Sequence, residues 1–291
     1  MKLFDARQTA ALLPYPELAQ SIAEVLQQQD QVTAPERLVV GLAGGGSLLL
    51  MPASDPRITV TKLVTVHPQQ RPSIRAEVWV MDTQSGERLA LLDGAVVTAR
   101  RTAAVSLLAA QKLATQPEGS LLVVGAGAQG RSHLEALRAG LGTRQAFIYS
   151  RSPESAQALA EYAQRLGMQA EAVGDLEAAL EQATLIVTAT TSTAPLLHRA
   201  RPDAFIAAVG AYKPSMVEVA PELVHQSRLY ADTLAGARHE AGDYLQAGID
   251  WDQVTGLDAA LEAPRPGGRV LFKSVGHALW DLAAARLAVS G

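Results

Sequence analysis

Leu121-Leu-Val-Val-Gly-Ala-Gly-Ala-Gln-Gly130 decides the fold. Four apolar residues in a row read as a buried strand, and the glycines behind them have the spacing of a dinucleotide-binding turn that opens a helix. Gly125 makes the tight turn, Gly127 lets the backbone approach a pyrophosphate, and Gly130 lets the new helix pack on its strand. The helix N-terminus then offers free N–H groups and partial positive charge to the phosphates, with Ala128 and Gln129 as its first residues. Leu134 and Leu137 supply an apolar stripe on that helix.

Outward from this stretch, the chain after Ser120 alternates short apolar strands with helical segments. Strands are expected at 120–124, 146–150, 170–173, 185–189, 205–209 and 228–231, the pattern of a doubly wound parallel sheet. Before it, residues 1–30 read as helical, with Asp5 as a cap and a restart after Pro14 and Pro16. Strands rich in branched residues follow at 37–41, 47–51, 58–66, 76–81 and 88–92, and suggest one antiparallel sheet. A helix is expected over 98–114, and Pro117-Glu-Gly119 marks a boundary. The fold class is therefore α/β: a Rossmann doubly wound parallel-sheet domain, 117–273, plus an α+β domain made of 1–116 and 274–291, to which an amphipathic terminal helix, 278–287, returns.

Composition narrows the function classes. Of 291 residues 48% are hydrophobic, enough for a large core, and the formal charge of −4 with no basic run argues against nucleic acid and against a polybasic membrane contact. No apolar run approaches the roughly 20 residues needed to span a bilayer. The start of the chain lacks the apolar core of a signal peptide, so the expected location is cytoplasmic. There is no cysteine, hence no thiolate chemistry. His239-Glu240 is not a metalloprotease motif, because Asp243 stands where the second histidine belongs, and no metal is expected.

The residue that ends the second nucleotide strand separates NAD from NADP, since an acid there accepts from the ribose 2′-hydroxyl and repels a 2′-phosphate. This chain has Ser150-Arg151-Ser152, with no carboxylate, an arginine suited to a phosphate and two serines that could donate to it, so the expected cofactor is NADP(H).

Arg37, Met51-Pro52, Lys62, Leu92-Asp-Gly94, Thr98-Ala-Arg-Arg-Thr-Ala-Ala104, the glycine-rich turn and Phe272-Lys-Ser-Val-Gly276 follow one another as in the ornithine cyclodeaminase and mu-crystallin family, which the chain resembles over nearly its whole length. The resemblance implies that the α+β domain binds substrate and dimerises, giving a homodimer. It also implies that Arg37, Lys62 and Arg101 bind a substrate carboxylate, and that Ser73 and Thr190 approach the cofactor. An arginine fork suits a carboxylate, and a lysine inside an apolar strand needs an anionic partner, for which a substrate carboxylate would serve.

One position departs from the family. In Val209-Gly-Ala-Tyr-Lys-Pro214, Tyr212 stands where deaminating members carry an aspartate. A phenol with an unperturbed pKa near 10 does not replace a carboxylate base at neutral pH. With Ala231-Asp-Thr233 and Gly236 to Gly248, this looks closer to the subgroup that reduces cyclic ketimines, Δ1-pyrroline-2-carboxylate and Δ1-piperideine-2-carboxylate, to L-proline and L-pipecolate. The expected substrate is a small cyclic imino acid, with Arg101, Arg37 and Lys62 clamping its carboxylate and Lys62 or Tyr212 near its nitrogen. An NAD-dependent cyclodeaminase and a mu-crystallin-like binder of NADPH are the alternatives.

Overall fold

The computed structural model describes residues 1–67, 69–70 and 73–290; Pro68, Arg71, Pro72 and Gly291 lie outside the described set. The chain forms two compact units, Met1–Ala104 with His277–Gly291, and Val105–Gly276. Sequence puts the first boundary in the Pro117–Gly119 turn, whereas the units divide inside a helix that begins in one and ends in the other.

The first unit runs β1 (Lys2–Leu3), α1 (Ala6–Ala11), α2 (Tyr15–Gln27), β2 (Leu38–Leu42), β3 (Gly46–Ser54), β4 (Ile58–Val66), β5 (Ile74–Asp82), β6 (Arg88–Asp93) and the dividing helix α3 (Gly94–Leu113). Its six-stranded sheet has the order β1-β6-β5-β4-β3-β2. The five strands expected from sequence form antiparallel pairs, but β1 was read as helix and instead pairs parallel with β6, Lys2 opposite Ala90. Two residues carry no period of their own, so only the partner strand makes them a strand. Asp5 caps α1 as expected, in a reciprocal pair: Gln8 N–H donates to Asp5 Oδ1 at 2.8 Å and Asp5 N–H to Gln8 Oε1 at 3.0 Å.

The last helix, Ala278–Val289, returns to this unit and packs on α2, β3 and β4. Sequence marked it as amphipathic. It is buried nearly all round, from Ala278 through Ala285, because its alanines allow close approach on every side. Ser21 of α2 donates to Ala283 O at 2.9 Å across one such contact. Along β4 the alternation buries Ile58, Val60 and Lys62 on one face.

The second unit contains β7 (Leu121–Val124), α4 (Ala128–Leu141), β8 (Gln145–Tyr149), α5 (Pro153–Arg165), β9 (Gln169–Ala172), β10 (Leu185–Thr188), β11 (Phe205–Ala208), β12 (Arg228–Ala231), β13 (Val254–Gly256) and β14 (Val270–Lys273). All pairings are parallel, in the order β13-β12-β14-β11-β10-β7-β8-β9. The strand order reverses between β7 and β10, the switch point at which doubly wound sheets bind ligands. Leu122, Val124, Ile186, Ile206, Ala208 and Leu271 belong to its core, as the unbroken apolar runs require of strands covered on both faces. Sequence missed β13, whose three residues are too few to show a period.

Candidate active-site residues

In the glycine-rich turn, Gly125 has φ +109°, and a Cβ there would lie 2.6 Å from Ala189 O. A Cβ on Gly130 would lie 1.9 Å from Gly125 O, so α4 starts against the turn only because that residue has no side chain. A Cβ on Gly127 would meet nothing within 4 Å: here the backbone faces open space, with no side chain capping the helix. Gln129 Oε1 is buried and accepts no hydrogen bond among the described residues. An exposed backbone at a helix start, two sterically obligatory glycines and an orphan acceptor fit a dinucleotide.

One turn into α4, His133 is wholly buried, with Nδ1 2.8 Å from Gln129 O and Nε2 2.9 Å from Ser106 Oγ. The carbonyl can only accept, so Nδ1–H donates to it and the unprotonated Nε2 accepts from the serine hydroxyl. Burial holds this imidazole down to about 4, against the opposing pull of the Gln129 carbonyl. His133 is a neutral tie between the fingerprint helix and α3.

At the end of β8 Arg151 is exposed. Ser152 caps α5, accepting from Ser155 N–H at 3.2 Å and donating to Glu154 Oε2 at 2.8 Å. Its single proton is spent, so of the two serines expected to face a phosphate only Ser150 keeps a hydroxyl clear of this cap.

Thr190, beyond β10, donates from its backbone N–H at 2.7 Å and from its hydroxyl at 2.8 Å to Glu218 Oε1. Glu218 Oε2 accepts from Thr188 Oγ1 at 2.9 Å, Gly210 N–H at 2.8 Å and Ala211 N–H at 3.2 Å. A Cβ on Gly210 would meet Glu218 Oε1 at 2.4 Å, so glycine is required beside the carboxylate. Sequence reading missed Glu218; the signal was an acid between Val217 and Val219, since a charge in an apolar run needs donors.

Asp232 and Asp243, one in each stretch that carried the resemblance to ketimine-reducing relatives, are buried nodes of this unit. Asp232 Oδ2 accepts from Ser274 Oγ at 2.8 Å, Val275 N–H at 3.1 Å and Gly276 N–H at 2.9 Å. Asp243 Oδ1 accepts from the N–H groups of Glu218 and Val219, and its Oδ2 lies 2.8 Å from Lys273 Nζ with both side chains fully buried. Tyr212 is 40% exposed, with Lys213 Nζ 5.5 Å from its ring centroid.

The cationic cluster lies in the first unit. Lys62 Nζ is 3.0 and 2.9 Å from the two oxygens of Asp281, and Arg101 Nε is 3.5 Å from Asp281 Oδ1. All three side chains are buried. Burial lowers Lys62 to about 8; Asp281 pulls the other way, and the charges of Arg101 and Arg37 add to the lowering. The anionic partner that a buried Lys62 needs, expected from sequence to be a substrate carboxylate, is supplied within the chain by Asp281. Asp281 is an acid inside a helix that is apolar apart from Arg286, and that was its legible signal. Ser73, assigned to the cofactor from sequence, stands just before β5 and accepts at its carbonyl from His67 N–H at 2.7 Å.

Residues 4–289 match the model of the Ornithine cyclodeaminase/mu-crystallin family. The chain is 39% identical over 295 residues, 98% of this chain and 94% of the other, to Δ1-pyrroline-2-carboxylate reductase 1 of Burkholderia multivorans. It is 38% identical over 294 residues, again 98% and 94%, to the Δ1-pyrroline-2-carboxylate/Δ1-piperideine-2-carboxylate reductase of Azospirillum brasilense. Among solved structures, the Δ1-pyrroline-2-carboxylate reductase of Thermococcus litoralis, in complex with NADH and L-proline, matches with a TM-score of 0.86 and 25% identity, over 100% of this chain and 97% of that one.

Proposed function

The chain belongs to the ornithine cyclodeaminase/mu-crystallin family, and from that premise we propose that it reduces Δ1-pyrroline-2-carboxylate or Δ1-piperideine-2-carboxylate to L-proline or L-pipecolate. It is an oxidoreductase acting on a C=N bond with a nicotinamide cofactor, NADPH in preference to NADH. The observation that carries the reading is the buried cluster of Lys62 and Arg101 with one carboxylate among them, within reach of the charge of Arg37. Lys62 and Arg101 share the carboxylate of Asp281 with the charge of Arg37 close enough to act on Lys62, and guanidinium and ammonium groups gathered in this way suit a small carboxylate.

Reduction adds a hydride to the imine carbon and a proton to the nitrogen. A nicotinamide dinucleotide whose pyrophosphate lies on the turn from Gly125 to Gly130 would supply the hydride when bound. Arg101 and Arg37 hold the substrate carboxylate and so fix which face of the ring is presented. Lys62, charged at neutral pH and near its titration at about 8, holds a proton that it can yield to the ring nitrogen. NADPH is preferred because β8 ends without a carboxylate and with Arg151 exposed. Tyr212 in place of an aspartate disfavours ammonia release from ornithine.

The assembly we propose is a homodimer. β2 ends the sheet, and it exposes Leu38, Val39 and Val40 in succession at 58, 58 and 40%. An apolar free edge of this kind is normally covered. Arg101→Ala tests the clamp: imine turnover collapses while NADPH binding stays intact, and near-normal turnover refutes the assignment.

A further inference from the structure

Asp281 is used by none of the steps above, yet it is fully buried and touches two members of the clamp. β3 and β5 place Met51 and Val78 opposite Lys62, both apolar. From α3 comes Arg101, while Arg100 turns away to Leu13 O at 2.7 Å and stacks on Tyr15. The segment before β2 contributes the charge of Arg37. From the last helix comes Asp281, while Arg286 pairs with Asp55. Two guanidinium groups and the loss of water all drive Lys62 toward its neutral form, and one carboxylate opposes them.

We propose that Asp281 is the positioning residue of the carboxylate clamp: from the last helix it spans Lys62 and Arg101 and fixes their ammonium and guanidinium groups side by side, so that the clamp accepts a planar cyclic carboxylate. The inference rests on the reading of Arg37, Lys62 and Arg101 as that clamp. Its consequence is a division of labour among carboxylates. Asp281 neutralises one charge permanently, and the substrate anion meets what remains.

The test is binding of pyrrole-2-carboxylate, a planar analogue that cannot be reduced in this reaction, by calorimetry on the full chain with NADP present between pH 6 and 9.5. Wild type should bind below pH 8 and weaken above it, as Lys62 loses its proton near 8. Asp281→Asn should move that limb down by about one to two pH units, the ordinary effect of a neighbouring carboxylate, and so weaken binding roughly tenfold at pH 7.5. Lys62→Arg, which does not titrate in this range, should abolish the limb. If Asp281→Asn folds poorly, Asp281→Glu carries the same test with the charge retained, and its limb should stay near pH 8. An unmoved limb in Asp281→Asn, a displaced one in Asp281→Glu, or tighter binding on removal of the anion would overturn the role of Asp281 while leaving the clamp standing. A wild type that ignores pyrrole-2-carboxylate at every pH would overturn both.

Discussion

Glu218 takes both the backbone N–H and the hydroxyl of Thr190 on a single carboxylate oxygen, at 2.7 and 2.8 Å. Its other oxygen takes three more donors from the ends of β10 and β11, so one buried anion fixes two loops at the carboxyl edge of the sheet. Glu218→Gln turns an amide toward donors and leaves N–H groups facing N–H groups. We expect a loss of about 3 kcal/mol in unfolding free energy, from a buried acceptor removed among several donors. Denaturant unfolding measures it, and a loss under about 1 kcal/mol would mean that the loops hold without the carboxylate.

His133 makes acid stability a local question. Its folded pKa of about 4 lies below the ordinary imidazole value of 6.5, so the unfolded chain binds the proton more tightly. Its contribution is present above pH 6.5 and is lost as pH falls from 6.5 to about 4, to a total of about 3 kcal/mol. Unfolding curves at pH 7.5, 6 and 5 should show a steeper loss for wild type than for His133→Gln. Parallel curves would show that the buried tie to Ser106 does not govern that range.

The proposed preference for NADPH makes Arg151 the residue to test. Arg151→Asp should weaken NADPH by roughly 10- to 100-fold more than NADH, as reversal of a phosphate-pairing charge implies. Equal losses for both cofactors in fluorescence titrations would sink the NADPH preference. Ser152→Ala should act differently: it removes the cap of α5 at a cost of about 1 kcal/mol whichever cofactor is bound.

The free edge of β2 makes a prediction about assembly. Val39→Lys, alone or with Val40→Lys, should leave the helical content intact and shift the chain from dimer to monomer in light scattering. A dimer unmoved by both substitutions would place its interface elsewhere.

What could be read in the sequence, and what could not, follows from range. The strand from Leu121 to Val124, its glycines and the alternation beyond Ser120 are local patterns, so the parallel sheet is legible to within a residue or two at most strands. Lys62 was legible as a buried charge because a lone lysine interrupts the β4 pattern. Its partner was not, because Asp281 lies 219 positions away and only the return of the last helix joins them. The same holds for Glu218, whose donors come from two separate stretches, and for β1, which is a strand only because β6 is beside it. Ser152 illustrates the converse. Its place after Arg151 suggested a phosphate ligand, but the helix that starts there claims its hydroxyl first.

The most direct measurement follows NADPH absorbance with purified protein and freshly generated Δ1-pyrroline-2-carboxylate, identifies the product, and runs L-ornithine with NAD in parallel. The account predicts NADPH oxidation in step with L-proline formation, and no ammonia from ornithine. Ammonia release without imine reduction, or cofactor binding with neither reaction, would contradict it.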